Sequence, residues 1–313
     1  KNSTWTNSSQ LNVGFFGTGT LTIADGGMVS NTTANIGGQG PLGPFGPSRG
    51  TVTVTGMNST WTNSGQLRVG LSGTGTLTIA NGGAVSNSDN GIIGRNGNSS
   101  GTVTVTGAGS TWTNSGNLTV GEKGTGILLI ENGGSVSNRF GDIGTFTGSN
   151  GMATVTGANS TWTNSVSLTV GGESTGTLLI ENGGAVSNAN GTIGNATSST
   201  GTVTVTGAGS TWTNSSNLSV GRFGTGTLTI ADGGMVSTTI ARIARESGST
   251  GTLNIGSAAG DAPVAPGMLS TSSVEFGDGD GLLTFNHTDL SLSLIHISEP
   301  TRRATISRMP SSA

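Results

Sequence analysis

Side chains that could act as nucleophiles, general bases or soft metal ligands are scarce in this chain. The sequence contains no cysteine, and its two histidines are His287 and His296. Thiolate catalysis and thiolate metal sites are therefore excluded, and a Ser–His pair or a histidine metal site lacks the residues it needs. We predict no catalytic, cofactor-binding or metal-ligating residues, no cofactor, and no enzymatic activity.

Two carboxylates keep one enzymatic alternative open. Glu131 and Glu181 stand at equivalent places in two copies of a repeat, and two carboxylates can cleave a glycosidic bond. The two glutamates are two rungs apart, so strand spacing places them roughly 10 Å from each other. That distance is just beyond the separation of the two carboxylates in inverting glycosidases. We expect solvated strand-end residues here. A polysaccharide-degrading β-helix enzyme would instead need acids clustered on one face beside a basic residue.

Two further tracts resemble ligand loops superficially. Asp278-Gly-Asp280-Gly looks like half of an acidic calcium loop but lacks the downstream bidentate glutamate, so we expect a structural turn. The GTGT tract at 17–20 and its copies precede strands, so no helix N-terminus is present to bind a phosphate.

The elements around these residues form an internal repeat. Trp5, Trp61, Trp112, Trp162 and Trp212 each stand in the phrase STWTNS. A half-unit of about 25 residues, in two alternating types, accounts for the spacing. Each half-unit carries an asparagine at Asn7, Asn31, Asn63, Asn87, Asn114, Asn138, Asn164, Asn188 or Asn214. A glycine follows at Gly14, Gly37, Gly70, Gly94, Gly121, Gly144, Gly171, Gly194 or Gly221.

Three short strands separated by tight turns fit one rung of this length. The sequence therefore predicts an all-β, right-handed parallel β-helix (β-solenoid), with about 25 residues per rung in alternating pairs and three short strands per rung. Ten or eleven rungs at the usual strand spacing give a rod roughly 50 Å long. We expect the glycines at corners with positive φ, and the repeated asparagines at corners in the left-handed region or in a side-chain ladder.

Alternation assigns the interior. Val103 and Val105 should point inward between outward threonines, as should Leu118 and Val120. Trp112 aligns with valines of neighbouring rungs, so we expect the indoles in the core rather than in an exposed, glycan-gripping ladder. Outward Thr-x-Thr rows suggest a second alternative, an ice-binding solenoid. Thr76, Thr78, Thr102 and Thr104 suit such rows. The corresponding positions are Ile127 and Leu129 in one rung, and Thr177 and Leu179 in another, so the rows are interrupted.

The predicted β-helix domain covers residues 1–290. It includes a proline-rich loop insertion at 38–50, whose role the sequence leaves open, and looser terminal rungs at 251–290. Residues 291–313 form a tail without the repeat pattern, which we expect to be disordered; residues 293–313 resemble a translated sequencing adapter. Because the chain begins within a repeat, we expect an internal fragment.

Composition limits the partners. Charged residues make up 9% of the chain and the net charge is −3, which argues against nucleic acid as a partner. No apolar run approaches the roughly 20 residues of a membrane helix, so we expect no direct membrane insertion. The absence of cysteine fits a secreted bacterial chain.

The phrases TVTVTGAGSTWTNSGNLTVG, GTLTIADGGMVS, TLNIGSAAGDAPVAPG and VEFGDGDGLLTFNHTD resemble bacterial autotransporter passenger regions. The resemblance covers about residues 1–290 and implies a right-handed β-helix carried to the surface by an outer-membrane barrel of the full-length protein. It implies a location at the cell surface or outside a Gram-negative bacterium. It also implies adhesion, aggregation or biofilm roles, with host cells, matrix, glycans or like cells as partners. We therefore expect a non-catalytic, adhesin-like stalk.

Overall fold

The chain forms a parallel β-solenoid. The computed structural model describes residues 3–38, 48–289 and 304–308. Strand pairing within these residues is parallel throughout the named strands, no helix occurs among them, and the chain winds through about ten turns. The predicted all-β solenoid, with rungs of about 25 residues and three strands per rung, is confirmed.

Each turn contributes one strand to each of three faces. The Thr/Val face contains Thr18–Ile23, Arg49–Thr55, Thr74–Ala80, Ser100–Thr106, Thr125–Glu131, Asn150–Thr156, Thr175–Glu181, Thr200–Thr206, Thr225–Ala231, Thr250–Gly256, Asp280–Asn286 and Ala304–Arg308. The Trp face contains Thr4–Thr6, Met28–Asn31, Thr60–Asn63, Ala84–Asn87, Thr111–Asn114, Ala185–Asn188, Thr211–Asn214, Met235–Ser237 and Met268–Ser270. The third face contains Leu11–Val13, Ala34–Ile36, Leu67–Val69, Gly91–Ile93, Leu118–Val120, Asn190–Ile193, Asn217–Val220, Ile240–Ile243 and Ser273–Phe276. Two longer strands, Ser135–Ile143 and Thr161–Val170, run through the Trp face and the third face without a break.

The core is a single column of apolar side chains along the rod. Val103 and Val105 are fully buried and stack in register on Leu128 and Ile130 of the next turn. Burial of side chains of this size contributes roughly 1.5–3 kcal/mol each. One continuous cluster extends from Leu11 to Leu283, so the described turns share one core.

Corner glycines permit close packing of the backbone between the third face and the Thr/Val face. Gly121 has a φ of 74°, and a Cβ there would lie 2.6 Å from the carbonyl oxygen of Asn150. A Cβ on Gly151 would lie 2.2 Å from the carbonyl oxygen of Val120. A Cβ at either glycine would press against backbone of the neighbouring turn, which explains the regular glycines and confirms their predicted corner positions. Ala244 occupies the same place in a later turn with a φ of 51°.

The prediction that the repeated asparagines adopt the left-handed region is wrong. Positive φ values occur instead at Asn132 (53°) and Asn182 (52°), whereas Asn138 and Asn188 have ordinary strand backbone. Asn132 Nδ2 also donates to the hydroxyl of Thr106 at 3.2 Å, which fixes the turn to the strand below it. Alternation explains the difference: an asparagine two places after an inward valine or tryptophan also points inward, so it cannot serve as the turn residue.

The ends of the predicted domain differ in regularity. In the loop insertion, residues 39–47 lie outside the described residues. At the other end, Thr250–Gly256 continues the Thr/Val face, and a longer connection then contacts the rod through bridges from Pro266 to Ala231 and from Val264 to His287. Within the tail, Ala304–Arg308 forms a parallel strand against Asp280–Asn286, which differs from the expected disorder. Residues 290–303 and 309–313 lie outside the described residues.

Candidate functional surfaces

Four of the five tryptophans line the interior, as predicted, and Trp5 does not. Trp61, Trp112, Trp162 and Trp212 are completely buried. Trp5 is 47% exposed, because its strand pairs on one side with Met28–Asn31 and no described strand covers its other edge. The alternative of an exposed aromatic ladder is therefore contradicted, because four of the five indoles are buried.

The asparagines form buried pairs, and in three of these pairs an asparagine oxygen accepts a hydrogen bond from an indole: that of Trp61, Trp162 or Trp212. In one pair, Asn138 Nδ2 donates to Asn164 Oδ1 at 2.6 Å, and Asn138 Oδ1 accepts from Trp162 Nε1 at 2.7 Å. Trp212 makes the same bond to Asn188 at 2.8 Å. The predicted ladder thus exists mainly as pairs: 31 with 63, 87 with 114, 138 with 164, and 188 with 214. One bond of 3.3 Å, from Asn63 to Asn87, joins two of them.

Hydroxyl groups cover most of the Trp face. Ser86, Ser137 and Ser187 each contact the threonine hydroxyl of the preceding turn at 3.3–3.4 Å. The Thr/Val face is less regular, since Thr102 is followed in its row by Ile127 and then by Met152, which is 46% exposed. A flat threonine lattice, as ice binding would need, is interrupted there.

The predicted acidic positions remain apart. Glu131 and Glu181 both pair with Thr156, which separates them by one strand. Among the described residues, neither forms an ion pair, and no group of three or more potential metal ligands comes together. Asp278 and Asp280 donate backbone N–H bonds to the turn beside them, to the carbonyl oxygens of Arg245 and Ser249.

One carboxyl on the third face is unusual. Asp142 lies in register between Thr119 and Thr169. Burial raises the pKa of the Asp142 carboxyl, and a hydrogen bond from Thr169 opposes this rise in part. The charged form is disfavoured because burial removes water that would solvate it. Its two register neighbours in this row are threonines, so no second acid or base adjoins it there.

Charged and aromatic side chains concentrate at one corner, which sequence reasoning missed. We call this corner the ridge: the loops that join the third face to the Thr/Val face. From the fourth turn onward these are residues 94–99, 121–124, 144–149, 171–174, 194–199, 221–224, 244–249 and 277–279. Loops of six residues alternate with loops of three or four. In each long loop the two residues at its tip are exposed, so the long loops project beyond the short ones.

Side chains on the ridge interact both within a loop and between neighbouring loops. Arg95 pairs with Glu122 at 3.6 Å, and Arg245 pairs with Glu246 at 3.2 Å. Lys123 Nζ lies 5.7 Å from the centroid of the Phe146 ring. The guanidinium of Arg222 lies 5.1 Å from the centroid of the Phe223 ring. Phe146 and Phe223 are each 40% exposed. These groups could contact a partner through both charge and aromatic area.

An open recess of about 620 Å³ lies along the first four loops of the ridge. Its lining residues are Gly97, Glu122, Lys123, Phe146, Thr147 and Glu173. Glu122 and Lys123 belong to the short loop and therefore form its floor. A projecting segment with both a cation and a carboxylate would complement this floor.

No protein-family model matches the chain, and no curated protein matches it. One solved structure is similar, the crystal structure of the TibC-catalyzed hyper-glycosylated TibA55-350 fragment. It is 17% identical with a TM-score of 0.41, and the match covers 90% of this chain and 86% of that one. The described residues include no helix long and apolar enough to cross a bilayer. The fold of this chain rests on its own strand pairing, which is that of a parallel β-solenoid.

Proposed function

We propose that this chain is a non-catalytic, surface-exposed or secreted fragment of an autotransporter passenger that acts as an adhesin-like stalk. One observation carries the proposal: about ten turns share one core, and the hydroxyl groups of the Trp face recur from turn to turn along the rod. The partners we propose are host-cell or matrix surfaces, glycans, or like cells. The setting we propose is the outer surface of a Gram-negative bacterium.

Repetition gives such a rod its binding strength. The serine and threonine hydroxyls of the Trp face offer weak polar contacts, and similar contacts recur from turn to turn at roughly 4.8 Å intervals. Linked weak contacts reach a high combined affinity because every contact after the first is intramolecular. An enzyme would need one unique pocket instead, and the separated positions of Glu131 and Glu181 do not favour it.

The test is display of the chain on bacterial cells through an outer-membrane anchor. Cells that carry the anchor alone are the first control. A Val155→Asp variant is the second, because a carboxylate in the dry core should unfold the rod while composition stays almost unchanged. Adhesion to host cells, matrix or each other should exceed both controls. Equal adhesion in all three would remove the adhesive role and leave a spacer.

A further inference from the structure

We infer that Asn96, at the tip of the first long loop of the ridge, is a site of spontaneous deamidation. The loop comprises residues 94–99, and Gly97 follows Asn96 there. Attack by the backbone nitrogen of Gly97 converts the side-chain amide into a carboxylate at the edge of the recess, which Gly97 lines. The inference concerns a covalent modification and stands independently of the proposed function.

The reaction consumes water and needs no other reagent. The nitrogen of Gly97 gives its proton to water or hydroxide and bonds to Cγ of Asn96. The Cγ–Nδ2 bond then breaks, and Nδ2 leaves as ammonia, so the product is a cyclic succinimide. Addition of water to one ring carbonyl gives aspartate, and addition to the other gives isoaspartate, in which the main chain runs through the side-chain carbons. Glycine favours ring closure because no Cβ hinders the approach of its nitrogen.

The dipeptide alone does not single out Asn96. Seven asparagines precede a glycine: Asn81, Asn90, Asn96, Asn132, Asn150, Asn182 and Asn190. What distinguishes them is the state of the glycine nitrogen, which must be free to lose its proton and approach the amide. A nitrogen held in a hydrogen bond or within a strand has to be released first, and that release costs free energy.

Six of the seven glycine nitrogens are restrained. Three of them donate to a serine hydroxyl at 3.0 Å: Gly82 to Ser110, Gly133 to Ser160, and Gly183 to Ser210. Gly91 donates to the carbonyl oxygen of Asn117 at 2.9 Å. Gly151 and Gly191 are buried within strands. Deamidation at these six places therefore requires local opening of the rod.

Gly97, in contrast, is free to react. It is exposed, its N–H forms no hydrogen bond to any residue that the structure describes, and a Cβ built on it would meet nothing within 4 Å. The carbonyl oxygen of Asn96 accepts two hydrogen bonds from Ser99, from its N–H at 3.1 Å and from its Oγ at 2.7 Å. Loss of the Gly97 proton places negative charge on that oxygen by resonance, so both bonds stabilise the reactive anion.

The loop can accommodate the aspartate product. Asn96 Nδ2 donates to Ser72 Oγ of the preceding turn at 2.7 Å, and a carboxylate at this place can accept from the same hydroxyl. Both forms of such a contact already occur in equivalent turns elsewhere on the rod, at 3.1 Å each: from Asn182 to Thr156, and from Thr206 to Asp232. Conversion should therefore leave the rod folded.

The modification changes the charge of the ridge. An aspartate ordinarily ionises far below neutral pH, so conversion adds one negative charge to a chain whose net charge is −3. The lining of the recess already contains Glu122 and Glu173 beside Lys123. Isoaspartate also lengthens the main chain just before Gly97. A partner that binds the recess would meet a more acidic edge on an aged rod than on a new one.

Incubation of the purified chain in mildly alkaline buffer, followed by peptide mapping with mass spectrometry, tests the inference. The folded chain should convert Asn96 at least about tenfold faster than any of the other six asparagines. Isoaspartate should appear at position 96, where an isoaspartyl methyltransferase will label it. The same chain unfolded in guanidinium chloride should react at all seven places at similar rates. Equal rates in the folded chain, or no conversion of Asn96, would overturn the inference.

Gly97→Ala provides a variant that should keep the fold and lose the reaction. Gly97 faces open space and its φ lies outside the left-handed region, so alanine fits there. The added Cβ should slow conversion of Asn96 about tenfold or more, while the circular dichroism spectrum stays unchanged. An undiminished rate would refute attack by this nitrogen.

Ser99→Ala separates activation of the nucleophile from simple loosening of the loop. Loss of the Oγ bond to the Asn96 carbonyl oxygen should slow conversion about fivefold. A loop that merely became more mobile would react faster instead. An unchanged or faster rate would overturn the role assigned to Ser99.

Transfer of the dipeptide to another long loop is the converse test. In residues 194–199, the N–H and Oγ of Ser199 donate to the carbonyl oxygen of Ala196 at 2.9 and 2.8 Å, as Ser99 does to Asn96. Ala196→Asn combined with Thr197→Gly should create a second site whose rate lies within about threefold of that of Asn96. A new site no faster than the six restrained ones would overturn the inference. Adhesion of displayed cells decides the proposed function separately, because conversion is measured on the purified chain.

Discussion

Replacing individual tryptophans by phenylalanine separates the hydrogen bond of the indole from its packing. Trp162 and Trp112 occupy equivalent positions, both are completely buried, and both stack on Val136. Trp162 Nε1 donates to Asn138, whereas Trp112 Nε1 is buried without a partner among the described residues. The loss of ring volume is the same in both variants, so the difference between them reports the hydrogen bond.

The expected difference is large enough to measure. Trp162→Phe leaves the oxygen of Asn138 without this donor in a dry core, which costs about 1–3 kcal/mol beyond packing. Trp112→Phe removes an unpaired buried N–H and should recover a similar amount. The free energy of unfolding should therefore fall further for Trp162→Phe than for Trp112→Phe, by about 2 kcal/mol or more.

Chemical denaturation followed by far-ultraviolet circular dichroism measures both free energies. Trp212→Phe is the matched control, because Trp212 bonds Asn188 as Trp162 bonds Asn138. It should lose as much stability as Trp162→Phe. If Trp112→Phe loses as much as the other two, indole hydrogen bonding contributes nothing distinct and the reasoning fails.

Four other substitutions test the corners and the third face. Asp142→Asn should stabilise the rod at neutral pH and have little effect in acid. Burial raises the pKa of the Asp142 carboxyl in the folded state, so the native residue lowers stability as the pH rises from the unfolded-state pKa through the folded-state pKa. Unfolding curves measured over a pH series will check this. Ala244→Gly should raise the midpoint of thermal unfolding, because a φ of 51° costs an L-residue about 1–2 kcal/mol. Gly221→Ala should lower the midpoint by more than Ala244→Gly raises it, since the added Cβ would lie 2.2 Å from the carbonyl oxygen of Thr250. Ser160→Ala should cost about 1 kcal/mol in urea unfolding, because the hydroxyl accepts the N–H of Gly133 at 3.0 Å; an unchanged midpoint would show that water replaces it.

Much of the fold could be predicted from local pattern. Strict alternation around Val103 and Val105 defines an inner and an outer side without any knowledge of partners. The position of Trp112 follows from the same alternation once the copies are aligned. Corner glycines such as Gly121 were predictable because their spacing repeats with the turn.

Other features depend on contacts between turns. Asn138 and Asn132 are both typical turn residues, and only the inward direction of Asn138 decides that it pairs with Trp162. The ridge was missed because its charges are spread over some 180 residues, and no single copy contains enough of them to stand out. Neighbours along the rod are about 25 residues apart in sequence, so a local window does not bring them together.

Near-identical copies also have a genetic consequence. Thr200-Gly201 repeats the setting of Asn150-Gly151, and each pair begins a strand in the same register. Unequal crossing-over between such copies in the gene would join one strand to its equivalent and leave every corner intact. Rods would then lengthen or shorten in steps of two turns, about 10 Å each, while their outward faces stayed the same. A lineage could thus tune reach by recombination without having to evolve a new fold.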